Sequence, residues 1–123
     1  MLNYIYSIRQ EFIFKMAKIE NKDFFQRVFE IVRRIPCGKV TTYGAIGKYL
    51  GLKSSARMVG WAVNSLKYEM DYPCHRVVNR NGELTGKMHF ASPSQMRELL
   101  EAEGIEFLDE RVNMKLHFWE PNQ

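Results

Sequence analysis

Apolar residues first fall into a helical rhythm at residues 24–35. Phe24, Phe25, Val28, Phe29, Ile31, Val32 and Ile35 recur at three- and four-residue steps, Asp23 with Gln26 resembles a capping box, and Pro36-Cys37-Gly38 breaks the run. The spacing predicts a core helix. Thr42 then stands as the N-cap of a short helix, Tyr43 to Leu50, with Ile46 and Leu50 on one face. Gly51 ends it, and Ser54 or Ser55 caps a further helix running to about Leu66. Two short helices joined by a glycine turn make a helix-turn-helix, an arrangement that many small α domains carry without touching DNA. In the second helix Val59, Val63 and Leu66 face the core, which leaves Arg57, Trp61 and Asn64 together on an exposed stripe. Ala56 and Gly60 lie beside that stripe, small enough for a partner to approach the backbone closely.

Further on, Arg76 to Asn79 reads as a strand, Arg80-Asn81-Gly82 as a tight turn and Glu83-Leu84 as a short return. Ser92, Pro93 and Gln95 open a last helix that Gly104 closes, with Met96, Leu99 and Leu100 as its core stripe. The alternation of Val112, Met114 and Leu116 predicts a terminal strand. The expected architecture is mostly α with small β elements, a winged-helix-like helix-turn-helix domain over residues 23–121. Residues 1–22 read as an N-terminal extension.

A length of 123 residues is enough for one domain with its own core. No stretch is apolar enough to cross a bilayer, and charges interrupt the opening residues before a secretory core could form. The expected location is cytoplasmic or nucleoid-associated, with Cys37 and Cys74 both reduced and free. The net charge of +4 hides a segregation, since residues 27–80 carry ten Lys/Arg against three Asp/Glu and residues 81–123 carry four against eight. A basic middle suits a polyanionic partner, nucleic acid first among them, although a solvated surface shows such fluctuations too.

Cys74 supplies the candidate chemistry, in the run Tyr72-Pro73-Cys74-His75-Arg76-Val77-Val78. A thiol attacks as its thiolate, and an adjacent imidazole to take the proton plus a nearby guanidinium would raise the thiolate fraction near neutral pH. A buried structural cysteine beside a surface histidine would look the same in isolation. The other cysteine, Cys37, lacks a histidine neighbour, and Cys37, Cys74, His75, His89 and His117 lack the paired spacing that zinc ligation favours. No metal or cofactor is expected.

Four landmarks occur in order: Gly38-Lys39-Val40-Thr41-Thr42-Tyr43-Gly44, Ala56-Arg57-Met58-Val59-Gly60, Pro73-Cys74-His75-Arg76-Val77-Val78 and Leu99-Leu100-Glu101-Ala102-Glu103-Gly104. Together they resemble the DNA-binding and catalytic domain of the alkylguanine-DNA alkyltransferases. The resemblance implies a monomer that binds the minor groove of double-stranded DNA and flips an alkylated guanine out of the stack. It implies that Arg57 fills the vacated stack, that Tyr43 presses on the phosphate and hydrogen-bonds the base, and that Cys74 takes the alkyl group irreversibly. His75 would draw the thiol proton through a water and Glu103 would orient the imidazole. Thr42, Ala56, Gly60, Trp61 and Asn64 would complete the DNA surface, and Pro73 with the backbone around Val77 would line the pocket. Read without the resemblance, Tyr43 fits a core position equally well, one helical turn before Ile46.

The chain departs from the family pattern in three places. Nothing in residues 1–22 reads as the separate N-terminal domain that many alkyltransferases carry, and the closing Trp119-Glu120-Pro121 is similar to the alkyltransferase-like branch. That branch binds alkylguanine without removing the alkyl group, flags it for other repair proteins and carries Trp where this chain has Cys74. Leu66 and Lys67 occupy the place of the Asn-Pro hinge of active members. Leu84-Thr85-Gly86-Lys87 replaces the Tyr-Ser-Gly-Gly-like stretch that closes the pocket.

Overall fold

A computed structural model describes residues 22–51, 56–66 and 71–121. Helix α1 spans Lys22–Arg34 and buries Phe25, Val28, Phe29, Ile31 and Val32, the face its periodicity defined. It begins two residues earlier than the Phe24 start that the capping box suggests. Asp23 therefore sits in the first turn, where a carboxylate suits the positive end of the helix dipole. Strand β1 (Thr41–Thr42) leads straight into α2 (Tyr43–Tyr49). Thr42 is the N-cap as expected, its hydroxyl accepting from Ala45 N–H at 2.9 Å, and Gly51 ends the helix region at a φ of 80°. Helix α3 (Ala56–Asn64) packs against both α1 and α2. Its cap at Ser54 or Ser55 lies outside the described residues, as does nearly all of the N-terminal extension.

Past α3, a 3-10 turn at Cys74–Arg76 feeds β2 (Val77–Val78), a shorter strand than Arg76 to Asn79. Strand β2 pairs in parallel with β1, Thr41 opposite Val77 and Thr42 opposite Val78. The expected return at Glu83-Leu84 is therefore not its ladder partner. Glu83 instead bridges to Arg111, while the Asn79 side chain closes the turn by accepting from Asn81 and Glu83 N–H. Gly82, in that turn, has a φ of 82°, and a Cβ there would lie 2.7 Å from Val112 O. Only glycine fits.

A second 3-10 turn, Lys87–His89, precedes α4 (Gln95–Ala102). Helix α4 begins two residues later than Pro93, because Gln95 Oε1 accepts from Ala91 N–H and tightens the preceding turn instead of forming a capping box. Met96 and Leu100 are buried, but Leu99 is 38% exposed and leaves the expected core stripe. Strands β3 (Phe107–Leu108) and β4 (Arg111–Val112) form an antiparallel hairpin. The predicted terminal strand is corrected beyond Val112. The chain winds into a short helix, α5 (Met114–His117), and Leu116 is 51% exposed. That turn shortens the path back to residue 40, where Val40 N–H donates to His117 O and Trp119 N–H to Val40 O.

Two apolar clusters result, and the β1–β2 pair lies between them. Val77 belongs to the cluster built on α1, α2 and α3, whereas Val78 and Val40 belong to the one built on Met96, Leu100, Ile105 and Val112. Successive strand side chains point to opposite faces, so two valines serve two cores. Helices dominate and strands are short, as the pattern implied. Among the described residues no helix is long and apolar enough to cross a membrane.

Candidate active site

A cleft of about 930 Å³ opens between the end of α3, the Tyr72–Arg76 segment, the second 3-10 turn and α4. Tyr43, Asn64, Pro73, Cys74 and His75 all line it. These residues come from three separate parts of the chain. The parallel β1–β2 ladder fixes where the chain enters α2 at Tyr43 and where the turn carrying Cys74 enters β2, and both residues reach the cleft wall from its opposite ends.

Glu103 is the electrostatic centre. It sits at the C-cap of α4, and its Oε2 takes Nε2–H of His75 at 2.6 Å and Nη2–H of Arg76 at 2.8 Å. Its Oε1 takes Nε–H of Arg76 at 3.0 Å and the backbone N–H of Gly38 at 3.0 Å. Partial burial alone would raise the carboxyl, but the donors from Arg76, His75 and Gly38 outweigh it and hold Glu103 at about 2. With Nε2–H committed to Glu103, a neutral His75 carries its lone pair on Nδ1. That atom can accept a proton.

Cys74 differs from the expectation. Burial pushes its thiol up to about 12, far above the range of an activated cysteine. The guanidinium two residues on does not offset this, because Arg76 is spent on Glu103 and on Ile35 O, the latter at 2.7 Å. The sulfur faces the carbonyls of Val63 and Leu66 at 3.9 and 4.0 Å. These stand at the C-terminal end of α3, where the helix dipole disfavours a thiolate. At rest Cys74 is therefore a thiol, and any attack by its sulfur would require the proton to leave.

Tyr43 lies on the cleft wall, its hydroxyl raised above the ordinary phenol range by burial, against the lowering effect of a hydrogen bond with Thr85. It stays a neutral hydrogen-bonding group at neutral pH. Gly86 lies close by, and a Cβ there would come 3.1 Å from the Tyr43 oxygen. Arg33 is a site residue that the sequence reading did not name, whereas Thr85 and Gly86 entered it only within the replaced pocket-closing stretch and Tyr72 only as the start of the Cys74 run. Arg33 donates to the Tyr72 hydroxyl at 2.7 Å at the rim, 39 residues away in sequence.

The residues expected to face DNA are only partly exposed. Ala56 and Arg57 are exposed, whereas Gly60 and Asn64 are half-buried. Trp61 is half-buried against the first core cluster, so Arg57, Trp61 and Asn64 do not form one exposed stripe. Helix α3 is wedged between two neighbours, and a large indole on its flank covers the edge of their core. Thr42 is 8% exposed, with its hydroxyl occupied as a helix cap. Val77 is fully buried and absent from the cleft wall, leaving Pro73 as the pocket residue of that pair. Cys37 is exposed in the turn before β1. Among the described residues no cluster of His, Cys, Asp and Glu side chains could hold a metal ion.

Residues 23–105 match the family described as 6-O-methylguanine DNA methyltransferase, DNA binding domain. The chain belongs to this methyltransferase family. Among the methyltransferase-family proteins, alkyltransferase-like protein 1 of Schizosaccharomyces pombe is 36% identical over 104 residues, covering 80% of this chain and 96% of that protein. Its crystal structure with damaged DNA containing O6-carboxymethylguanine superposes with a TM-score of 0.69 at 36% identity, over 81% of this chain and 97% of that one. The methylated-DNA–protein-cysteine methyltransferase of Shigella flexneri is 45% identical over 82 residues. Those residues are 65% of this chain and 46% of the enzyme, so the chain spans about half its length. The family thus includes cysteine methyltransferases and an alkyltransferase-like protein.

Proposed function

We propose that the protein binds duplex DNA carrying O6-alkylguanine, turns the damaged base into the cleft and transfers its alkyl group to Cys74. The observation that carries this is the His75–Glu103 pair, locked by Arg76 and Gly38 in the residues next to a thiol on the cleft wall. A sensor that only binds needs no such relay. In the transfer, the sulfur–carbon bond forms as the bond from carbon to guanine O6 breaks. The thiol proton passes to His75 Nδ1, and the guanine, released as an anion, takes one proton from the solvent, to which His75 then returns its own. Tyr43 remains protonated and can hydrogen-bond the base as negative charge develops on it. The thioether has no hydrolysis route, so each molecule reacts once.

Arg57, exposed near the start of α3 with Ala56 beside it, would fill the vacated stack. Affinity should come mainly from the basic middle of the chain and weaken steeply with salt, with little dependence on flanking sequence. Arg57→Ala should lose lesion affinity without unfolding. Retention of base extrusion in that variant, read by a fluorescent base analogue beside the lesion, would reject the role.

A second reading is lesion binding without transfer. It is favoured by the thiol held at about 12 and by the 96% coverage of alkyltransferase-like protein 1. Intact-protein mass spectrometry after incubation with an oligonucleotide containing O6-methylguanine separates the two. One added methyl per protein, mapped to Cys74 and absent in Cys74→Ala, supports transfer. Tight binding with an unchanged mass leaves the sensor.

A further inference from the structure

His117, in α5, makes two hydrogen bonds to backbone on either side of the relay. Its Nε2 accepts from Glu106 N–H at 2.9 Å, which fixes the proton on Nδ1, and Nδ1–H donates to Gly38 O at 3.3 Å. Both partners bear on Glu103. Glu106 follows it by three residues, and Gly38 N–H is one of its direct donors.

Gly38 is the third residue of a turn closed by Lys39 N–H donating to Pro36 O at 3.1 Å, and its φ of 84° orients the Cys37–Gly38 peptide. A turn with a left-handed third residue can flip its central peptide, which would carry the N–H away from the carboxylate. The bond from His117 to Gly38 O holds the following peptide and so resists that flip. The backbone bond from Val40 N–H to His117 O at 2.9 Å keeps the imidazole in register with the turn.

We infer that His117 is a positioning residue for the reaction, holding the Gly38 peptide and the segment after Glu103 so that the Glu103 carboxylate stays aimed at His75. This rests on the transfer reading for its effect on rate, but not for its effect on the relay itself. His117→Phe keeps a ring and removes both bonds. His117→Asn keeps a donor where Nδ1 stood and should restore the tie to Gly38 O.

The test uses the full chain, with two readouts and a urea titration to correct for any unfolded fraction. In the first, the single-turnover rate of methyl transfer to Cys74 is measured against pH at saturating O6-methylguanine duplex. His117→Phe should be slowed about three- to tenfold with DNA affinity unchanged, the size expected for one lost hydrogen bond in the relay, and His117→Asn should recover most of it. In the second, nuclear magnetic resonance follows the Gly38 amide and the His75 Nε2–H, whose downfield positions report their bonds to Glu103. Both should move upfield in His117→Phe. Unmoved resonances, or a rate loss that Asn fails to restore, would overturn the inference. If the wild-type protein transfers no methyl group, the transfer reading fails alone and the resonances decide the role of His117.

Discussion

Alkylation of Cys74 by iodoacetamide, without DNA, tests whether the resting nucleophile is a thiol. With the group at about 12, its thiolate fraction at pH 8 is about one in ten thousand, against about one quarter for an unperturbed cysteine near 8.5. The rarer thiolate is also the stronger nucleophile. A Brønsted slope of about 0.4–0.5 over a gap of about 3.5 returns about 40-fold, so Cys74 should label about 50-fold more slowly than a small free thiol. Partial burial can only widen the difference. Cys37, which is exposed, should label first. Peptide mapping of native protein quenched at intervals gives both rates, and a sample in urea supplies the unfolded reference. The Cys74 rate should climb about tenfold per pH unit from 7 to 10, since the titration midpoint lies beyond that window. Labelling of native Cys74 within a few-fold of the small thiol at pH 8 would refute the burial argument and restore a pre-formed thiolate.

Three further outcomes follow from the packing. Glu103, depressed to about 2, stabilises the fold fully above the ordinary carboxyl range near 4.3, and that contribution is lost as pH falls from about 5 through 2. Its upper limit is about 3 kcal/mol, reduced to about 1–2 kcal/mol by solvent in an open cleft, so the acid loss of stability in urea titrations should shrink in Glu103→Gln. Gly82→Ala forces a Cβ to 2.7 Å from Val112 O at a left-handed φ and should cost about 2–4 kcal/mol, read as a lower urea midpoint. A wild-type midpoint there would mean the turn is free to relax. The hydroxyl of Thr41 is buried without a hydrogen-bond partner among the described residues, so Thr41→Val should raise stability by about 1 kcal/mol, and a fall would reveal a hidden partner.

The helix-turn-helix was legible because its signals are local. Thr42 as a cap, Gly51 as a stop and the Val59, Val63, Leu66 stripe each act within one or two turns. Leu99 and Leu116 misled because an apolar residue at the right period is core only if something packs over it. Leu99 meets an open cleft, and Leu116 lies on a helical turn where alternation suggested a strand. The pairing of β2 with β1 could not be read from the hairpin signal at Arg80-Asn81-Gly82, which marks a turn but not the strand's partner. Within the site, the resemblance named Cys74, His75, Glu103 and Tyr43. It could not say that Arg76 would serve Glu103 rather than the thiol, because that depends on where a long side chain points across 27 residues of sequence. Thr85 and Gly86 were visible only as departures from a pattern, and their contact with Tyr43 is a fact of three dimensions.

The two-residue ladder joining Thr41 to Val77 and Thr42 to Val78 acts as a gauge for the whole cleft. Because the strands are parallel, Tyr43, one residue past the end of β1, and Cys74, three residues before the start of β2, lie off opposite ends of the ladder. The separation between the groups that would meet opposite sides of a guest base is thus counted out in peptide units. One extra residue between Arg76 and Val77 would slide the gauge by about 3.3 Å and exchange the valines between their two cores. Slippage and unfolding are thereby coupled, and the reach of the sulfur is held by the packing of two cores.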